Sequence, residues 1–411
     1  MPDRAVNLLL LGANRSHVLS IRALRAAGFV VTAVDDLPVA LGLQAADRGV
    51  QVSPSHIKPV LAALKDIPDP DAVLFTNEEA LQTAFGIADH FSLPWPIADT
   101  KCSLQSKERQ RQAWNQDPNL HVSYQIVNSA GALEQAAEEI ADGMVIVKPS
   151  TSRGGSRGVL LHRRGDDPTE AFQEATKASL NGKVLVEKYL RGTQLSVDGV
   201  IIDGTVIIAG IGRNLKQEPP NQVNLAIEYP SSAEKHEIVS SENSVTEVVA
   251  RSAEALGYRE GPVHLELVDT DEGLRPIEFA ARCGGGVIPD VLATRAEVHP
   301  MVQAGAIACG QTKGKIQNTR PADYPAAVIR YLTPSVEVPI ESQFQISVED
   351  QKKVVDALVF PPNDGVARRL QSTSDRWGYL AVTGRDLVDC WLTIGRIGIK
   401  MADACRQPVR F

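Results

Sequence analysis

The first hundred residues alternate short apolar runs with stretches of helical periodicity, and this alternation restricts the fold more than any other feature of the chain. Val6–Leu11, residues 29–34 and Ala72–Phe75 are predicted strands, and residues 18–27 have the spacing of a helix that stops at Gly28. Strands that are separated by helices are joined by crossovers, which are the connections of a parallel sheet. The sequence therefore predicts an N-terminal α/β unit with a doubly wound parallel sheet.

The remainder of the chain has a different pattern, which is typical of antiparallel sheets. Asp203-Gly204 between two apolar runs indicates a tight hairpin, and Pro94-Trp95-Pro96 interrupts regular structure. We expect three parts: an N-terminal parallel α/β domain, a central region with a glycine-rich loop, and a larger antiparallel C-terminal domain that the last hundred residues complete. Their predicted bounds are 1–100, 101–185 and 186–411.

Composition excludes several classes of protein. The 411 residues include 42 Lys plus Arg against 50 Asp plus Glu, and the net charge of −8 argues against a general nucleic-acid binder while leaving room for a local positive pocket. No apolar run approaches the roughly 20 residues of a membrane span, and no signal peptide is recognisable. The five cysteines are scattered without a C-x-x-C pair, so we expect reduced thiols in a cytoplasmic protein rather than disulfides or structural zinc.

The turn after the first strand is a poor match to a dinucleotide-binding loop. That fingerprint needs three glycines, but Asn14 and His17 stand where the second and third should follow Gly12. A simple strand-to-helix turn is therefore favoured over a nicotinamide-dependent dehydrogenase.

A lysine at the end of a buried strand, followed by a glycine-rich loop, is the first candidate binding feature. Lys148 closes the apolar run at 145–148, and residues 150–158 contain three glycines, three serines and two arginines. Unhindered backbone N–H groups, hydroxyls and positive charge can close over a polyphosphate. The Gly-Lys-Ser/Thr of a P-loop is missing, so a different nucleotide fold is required.

Two glutamates placed symmetrically about a predicted hairpin are the most informative feature. Glu266 and Glu278 each lie six positions from Glu272, and Gly273 can supply the positive φ of a three-residue loop. The two carboxylates should then oppose each other on one face, with Cβ atoms roughly 5 Å apart. Their mutual repulsion favours a divalent cation between them, and oxygen ligands suit Mg²⁺ or Mn²⁺.

Further polar groups are predicted beside this pair. Period-two alternation places His264 on the face of the first glutamate and Arg282 on the face of the second. The run Gly284, Gly285 and Gly286 leaves backbone N–H groups for an anionic ligand. A metal, acidic groups and an arginine are thus expected on one patch.

As an ordered set, these motifs resemble the ATP-grasp superfamily of carboxylate–amine ligases over roughly residues 6 to 310. The resemblance implies an N-terminal parallel-sheet domain, a small lid domain and a larger antiparallel domain, with ATP as a cosubstrate. It assigns Lys107 and Lys148 to the nucleotide phosphates and Glu187 to the adenine amino group. The other implied nucleotide contacts are Ser152, Gly154, Gly155 and Ser156 in the lid loop, main-chain groups of Lys188 and Leu190 at the adenine, and Gln194 at the ribose, where a glutamate is usual.

The resemblance also implies the metal site and the reaction. Glu266 and Glu278 would bind Mg²⁺ or Mn²⁺, Arg282 would contact the transferring phosphate, and Ala280 replaces an asparagine often found there. The series 278–282 followed by three glycines looks most like the L-amino-acid ligase branch, which includes dipeptide synthetases of antibiotic biosynthesis.

The implied activity joins a carboxylate to an amine through an acyl phosphate, releasing ADP and phosphate. The expected partners are small-molecule substrates, namely a carboxylate and an amine, both expected to be amino acids. No nucleic acid or membrane is expected, and a homodimer is an open alternative. Glu78 or Glu79 is a candidate ligand for a substrate ammonium, although glutamates in the first turn of a helix also simply favour its dipole. His264 is either a general base or a structural histidine. The rival functions are a bicarbonate-dependent carboxylase of the same superfamily and a non-catalytic nucleotide-binding protein.

Overall fold

Three β-sheets organise the molecule. The computed structural model describes residues 5–37, 40–95, 104–140, 143–152, 154–239, 242–295, 299–311, 325–333, 346–359 and 369–405. Within these ranges the sheets have four, four and eight strands, and only the first is parallel. None of the helices in these ranges is long and apolar enough to cross a membrane.

The N-terminal sheet is the predicted parallel one, with strand order β3-β2-β1-β4. Three of its strands, β1, β2 and β4, are strongly apolar and mostly buried, as is typical of a parallel sheet that helices cover, whereas β3 at the edge is polar. Gly28 has a φ of +95°, which suits the residue after a helix C-terminus. The elements are β1 (Val6–Leu11), α1 (Val18–Ala26), β2 (Phe29–Asp35), α2 (Leu41–Ala45), β3 (Arg48–Gln51), α3 (Ile57–Ala63), β4 (Ala72–Phe75) and α4 (Leu81–Phe91).

The second sheet is small and antiparallel, with order β5-β8-β6-β7, and it has its own apolar core beneath two helices. Its last strand ends at Lys188, so this sheet extends past the predicted boundary at residue 185. The helix that precedes it is capped by Ser106, whose side chain accepts from the Arg109 N–H. The elements are α5 (Lys107–Trp114), β5 (Tyr124–Val127), α6 (Ala130–Ile140), β6 (Met144–Pro149), β7 (Leu160–Arg163), α7 (Thr169–Ala178) and β8 (Val184–Lys188).

The third sheet is antiparallel, with order β13-β12-β9-β10-β11-β14-β16-β15. The predicted Asp203-Gly204 hairpin is confirmed, since Ile202 pairs with Thr205 and both turn residues have positive φ. The elements are β9 (Thr193–Ile202), β10 (Thr205–Lys216), β11 (Asn224–Tyr229), α8 (Glu242–Ala255), β12 (Gly261–Thr270), β13 (Gly273–Ala280), α9 (Ile288–Ala293), α10 (Pro300–Ala308), β14 (Ala326–Leu332), α11 (Val348–Gln351), β15 (Val354–Val359), β16 (Gly378–Gly384) and α12 (Leu387–Cys405).

The turn between β12 and β13 is shorter than predicted. Thr270 pairs with Gly273, which leaves Asp271 and Glu272 as a two-residue turn. The prediction of a three-residue loop was wrong, although Gly273 does have the expected positive φ, at +99°.

A bulge in β13 compensates for the shorter turn. Leu267 pairs with Pro276 and Glu266 with Glu278, so Ile277 is the extra residue. Without the bulge, Glu266 would face Ile277. The bulge therefore restores the predicted glutamate pair.

The parallel and large antiparallel sheets share one core through α10. This helix contacts α1 and β4 on one side and β9 and β12 on the other. A Cβ on Gly305 would lie 3.1–3.2 Å from side chains of Leu8, Leu24 and Phe29, so the helix approaches β1 and α1 closely. One continuous apolar cluster consequently spans both units.

Candidate active site

A cavity of about 620 Å³ lies where the three sheets meet. It is lined by loop residues of the parallel unit, by β6, β8 and the glycine-rich loop, and by the inner face of the large sheet. Of the site residues predicted from the sequence, the following line it: Glu78, Lys107, Lys148, Ser152, Gly154, Gly155, Ser156, Glu187, Lys188, Leu190, Gln194, His264, Glu266, Glu278, Arg282, Gly285 and Gly286.

The two opposed glutamates face this cavity and are held by polar neighbours. Lys107 Nζ donates to Glu278 Oε1 at 2.8 Å, and Gln194 Nε2 donates to Glu266 Oε2 at 2.9 Å. Burial opposes ionisation of Glu278, but Lys107, and with it Lys148 and Arg282, outweighs burial and holds the pKa of Glu278 below its usual value. The Glu278 carboxylate is thus available as an anion.

This carboxylate pair fits a magnesium ion that takes part of its coordination from elsewhere. In the described part of the chain, no cluster of three or more His, Cys, Asp or Glu side chains could enclose a metal. Mg²⁺ is usually held by one or two carboxylates together with waters and substrate phosphates. Glu266 and Glu278 supply that donor set at the wall of an open cavity.

A buried charge triad lies next to the carboxylate pair. The Glu187 carboxylate accepts from Lys148 Nζ at one oxygen and from Arg111 Nε at the other, the latter at 2.9 Å. Burial lowers the pKa of Lys148 to about 8; Glu187 opposes this shift and Arg111 adds to it. Both oxygens of Glu187 accept from cations, so an adenine amino group would have to share one of these oxygens. The contact of Glu187 with adenine stays a prediction.

The glycine-rich loop reaches across the cavity to a loop of the C-terminal unit. Thr373 N–H donates to the Gly155 carbonyl at 3.0 Å, and Arg157 Nη2 donates to Ser374 Oγ at 2.8 Å. Gly154 and Gly155 have φ values of +77° and +73°, which favour glycine. Arg153 lies outside the described residues.

Arg282 and His264 both have carboxylate partners. Arg282 Nε donates to Glu78 Oε1 at 2.8 Å. The carboxylate that was predicted to bind a substrate ammonium therefore pairs with an arginine of the protein. His264 Nδ1 lies 3.0 Å from Asp198 Oδ1. Burial opposes protonation of this histidine, but Asp198 outweighs it and raises the pKa of His264.

The triglycine run is only partly available to a ligand. Gly284 N–H donates to Asp198 Oδ1 at 2.8 Å, and Gly284 does not line the cavity. The expectation that Gly284 offers its N–H to an anion was wrong, because that group satisfies a buried carboxylate. Gly285 and Gly286 do line the cavity.

Comparison with known proteins agrees with this geometry. Residues 142–290 match the family model described as an ATP-grasp domain. This part of the chain is similar to ATP-grasp domains. The match covers β6, the glycine-rich loop, Lys148 and Glu187 of the triad, both glutamates and Arg282.

Solved structures extend the ATP-grasp likeness to nearly the whole chain. L-amino acid ligase from Bacillus licheniformis gives a TM-score of 0.78 at 18% identity, covering 97% of this chain and 98% of that one. Phosphoribosylglycinamide synthetase from Anaerococcus prevotii gives 0.71 at 16%, covering 96% and 98%. Biotin carboxylase from Campylobacter jejuni gives 0.68 at 18%, covering 96% and 91%. At these identities the likeness shows the ATP-grasp fold alone.

Curated relatives match shorter regions. Uncharacterized protein y4rH from Sinorhizobium fredii is 28% identical over 244 residues, which are 57% of this chain and 48% of that protein. The carbamoyl phosphate synthase large chain from Agathobacter rectalis is 27% identical over 139 residues, which are 34% of this chain and 12% of that protein. The chain thus aligns with about half or less of the curated relatives.

Several residues around the ATP-grasp cavity were not identified from the sequence. Arg111 follows Lys107 by one helical turn, so the i, i+4 spacing could have placed both on one face. Asp198 and Arg376 reach the site through strand pairing and loop packing that no local pattern encodes.

Proposed function

We propose that this protein is an ATP-dependent ligase that joins a carboxylate to an amine through an acyl phosphate. The observation that carries the proposal is the convergence of the opposed glutamates, Lys107, Lys148 and Arg282 in one cavity beneath a glycine-rich loop. The match to the ATP-grasp domain supports the same chemistry.

The first step brings two anions together. A substrate carboxylate oxygen bonds to the γ-phosphorus of ATP, the bond to the bridging β,γ-oxygen breaks, and ADP leaves. Lys148, Lys107 and Arg282 stabilise the charge that accumulates on the transferring phosphoryl group. When bound, Mg²⁺ or Mn²⁺ held by Glu266 and Glu278 would supply further neutralisation of the phosphate oxygens.

The second step forms the amide. The amine nitrogen attacks the acyl carbon, phosphate leaves, and the nitrogen gives up a proton. His264 faces the cavity with Asp198 behind it, which is the arrangement of an oriented base. The glycine-rich loop excludes the water that would hydrolyse the acyl phosphate.

Amino acids are the proposed substrates, which would make the product a dipeptide or a similar amide. The support is the sequence around Glu278 and Arg282 and the similarity in fold to the L-amino acid ligase. The similarity in fold to biotin carboxylase keeps a bicarbonate-dependent reaction as the second candidate.

The decisive experiment measures ADP release from Mg-ATP with a panel of amino-acid pairs, and separately with bicarbonate, followed by mass spectrometry of the products. Lys148→Met should abolish turnover, whereas Lys65→Met, at an exposed position outside the cavity, should not. Bicarbonate-dependent ADP release without an amino acid would select the carboxylase. Binding of ATP without turnover under any condition would refute both enzymes.

A further inference from the structure

Arg376 brings a guanidinium to a part of the cavity away from the glutamate pair. It precedes β16, lines the cavity, and stacks over the Tyr331 ring with its Cζ 3.5 Å from the ring centroid. Its Nη2 donates to the Asn224 carbonyl at 2.7 Å. These contacts fix the plane of the guanidinium.

Arg376 has no carboxylate partner among the described residues; its contacts there are the Tyr331 ring and the Asn224 carbonyl. Four cavity cations have such partners, namely Lys107 with Glu278, Lys148 with Glu187, Arg282 with Glu78 and Arg157 with Glu79.

Arg376 instead keeps an unsatisfied donor. Its Nε is buried and has no hydrogen-bond partner among the described residues. The neighbouring Asp375 does not serve it, because that carboxylate accepts from the N–H groups of Gln371 and Ser372. Burial lowers the pKa of Arg376, and Tyr331 opposes the shift. Holding a cation there is costly unless an anion joins it.

We propose that Arg376 binds a carboxylate of the substrate other than the one that ATP activates. The inference rests on the proposed function and names a substrate class for it. Tyr331 lies on β14, four strands from β12 in the sheet order. The charges of both Arg376 and Glu266 affect the pKa of its hydroxyl, Arg376 lowering it and Glu266 raising it. A guanidinium with a fixed plane suits a carboxylate, which it can bind through two parallel hydrogen bonds.

Two kinds of substrate carry such a carboxylate. One is an α-amino acid that acts as the amine and keeps its own carboxylate. The other is a dicarboxylic acid that is activated at its far end. In either case Arg376 would fix the substrate while its reacting group lies near the glutamates and Arg282.

The test uses the full chain and the substrate pair that the panel identifies. Replacing the relevant carboxylate by a carboxamide, first in the amine and then in the acid, should raise KM about ten- to a hundredfold for one of the two, with KM for ATP unchanged. This comparison uses the wild-type protein and so does not depend on the folding of a variant.

The matched variants are Arg376→Gln, Arg376→Lys and Arg369→Gln, the last at an exposed arginine close in sequence. Arg376→Gln should show the same loss with the carboxylate substrate and no further loss with the carboxamide. Arg376→Lys should recover part of the loss, and Arg369→Gln should match wild type. Equal KM values for carboxylate and carboxamide, or an effect of Arg376→Gln on KM for ATP alone, would overturn the proposal.

A binding measurement separates this proposal from the ligase reaction. Calorimetric titration of the ADP-loaded protein with succinate and glutarate, and with their diamides, needs no turnover. Wild type should bind at least one diacid about tenfold more tightly than Arg376→Gln does, and neither protein should bind the diamides. Equal diacid binding by the two proteins would overturn the proposal even if ligase activity were found.

Discussion

The single residues that matter most are the two glutamates that face each other across β12 and β13. Each contributes half of the negative charge offered to a metal, and neither has a carboxylate neighbour that could replace it in the described part of the chain. Loss of either glutamate should therefore slow phosphoryl transfer.

Glu266→Gln and Glu278→Gln should each slow ADP release by at least about a hundredfold, because a divalent ion would be held by one carboxylate only. The measurement is ADP release as a function of Mg²⁺ concentration. Glu272→Gln, at the exposed turn of the same hairpin, is the control and should behave as wild type. Full activity of both cavity variants would remove the basis for the metal site.

The ionisation of Lys148 predicts a pH dependence of nucleotide binding. Its pKa of about 8 means that the ammonium form predominates below pH 8 and is lost as pH rises through that value. ATP affinity should fall between pH 7 and 9, by as much as about tenfold per pH unit above the pKa. Titration calorimetry of wild type and Lys148→Met tests this, since the variant should bind weakly at every pH. The same slope in both proteins would contradict the prediction.

Among the elements, the glycine-rich loop has the most direct link to turnover. A Cβ on Gly155 would lie 2.7 Å from Thr373 Oγ1, and its φ of +73° disfavours other residues. Gly155→Ala should lower kcat about tenfold, because closure of the loop would cost about 1–2 kcal/mol more. The thermal unfolding midpoint should change little. Gly131→Ala, at an exposed and uncrowded position of α6, should leave kcat unchanged; an equal fall in both would point to a general effect.

The β12–β13 hairpin shows how far local pattern can be used to predict this site. Alternation and symmetry predicted the partner of Glu266 correctly, yet the turn is one residue shorter than predicted. The bulge at Ile277 that offsets the difference has a tertiary role, because Arg111 Nη2 donates to the Ile277 carbonyl at 2.8 Å. A contact between residues so far apart leaves no trace in the spacing of the hairpin.

At the scale of the whole molecule, α10 packs between the parallel sheet and the large antiparallel sheet, and we expect this shared packing to make the two sheets unfold together. Gly305→Val would overfill the contact between this helix and β1, and should destabilise the protein by about 1–3 kcal/mol. Chemical denaturation should show one shifted transition for the parallel and large antiparallel sheets, because they share a core. Gly395→Ala in α12, where a Cβ meets nothing within 4 Å, is the control. Two separate transitions, only one of them shifted, would show that the units are independent.

The order of strands and helices allowed the three-part architecture to be predicted, but not the way in which the parts share a site. The parallel sheet and the hairpins follow from neighbouring residues. The pairing of β9 with β12, which brings Asp198 to His264, and the packing of Arg376 on Tyr331 join distant segments. Those contacts depend on the packing of the complete chain, and they include the residues that the sequence analysis missed.

The triad around Glu187 has a consequence for the order of events at the site. Its carboxylate pairs with both Lys148 and Arg111, so it acts as their shared counterion. One buried carboxylate thereby fixes the positions of two cations. A triphosphate would then meet positive charge that the fold has already arranged, rather than gathering it from mobile side chains.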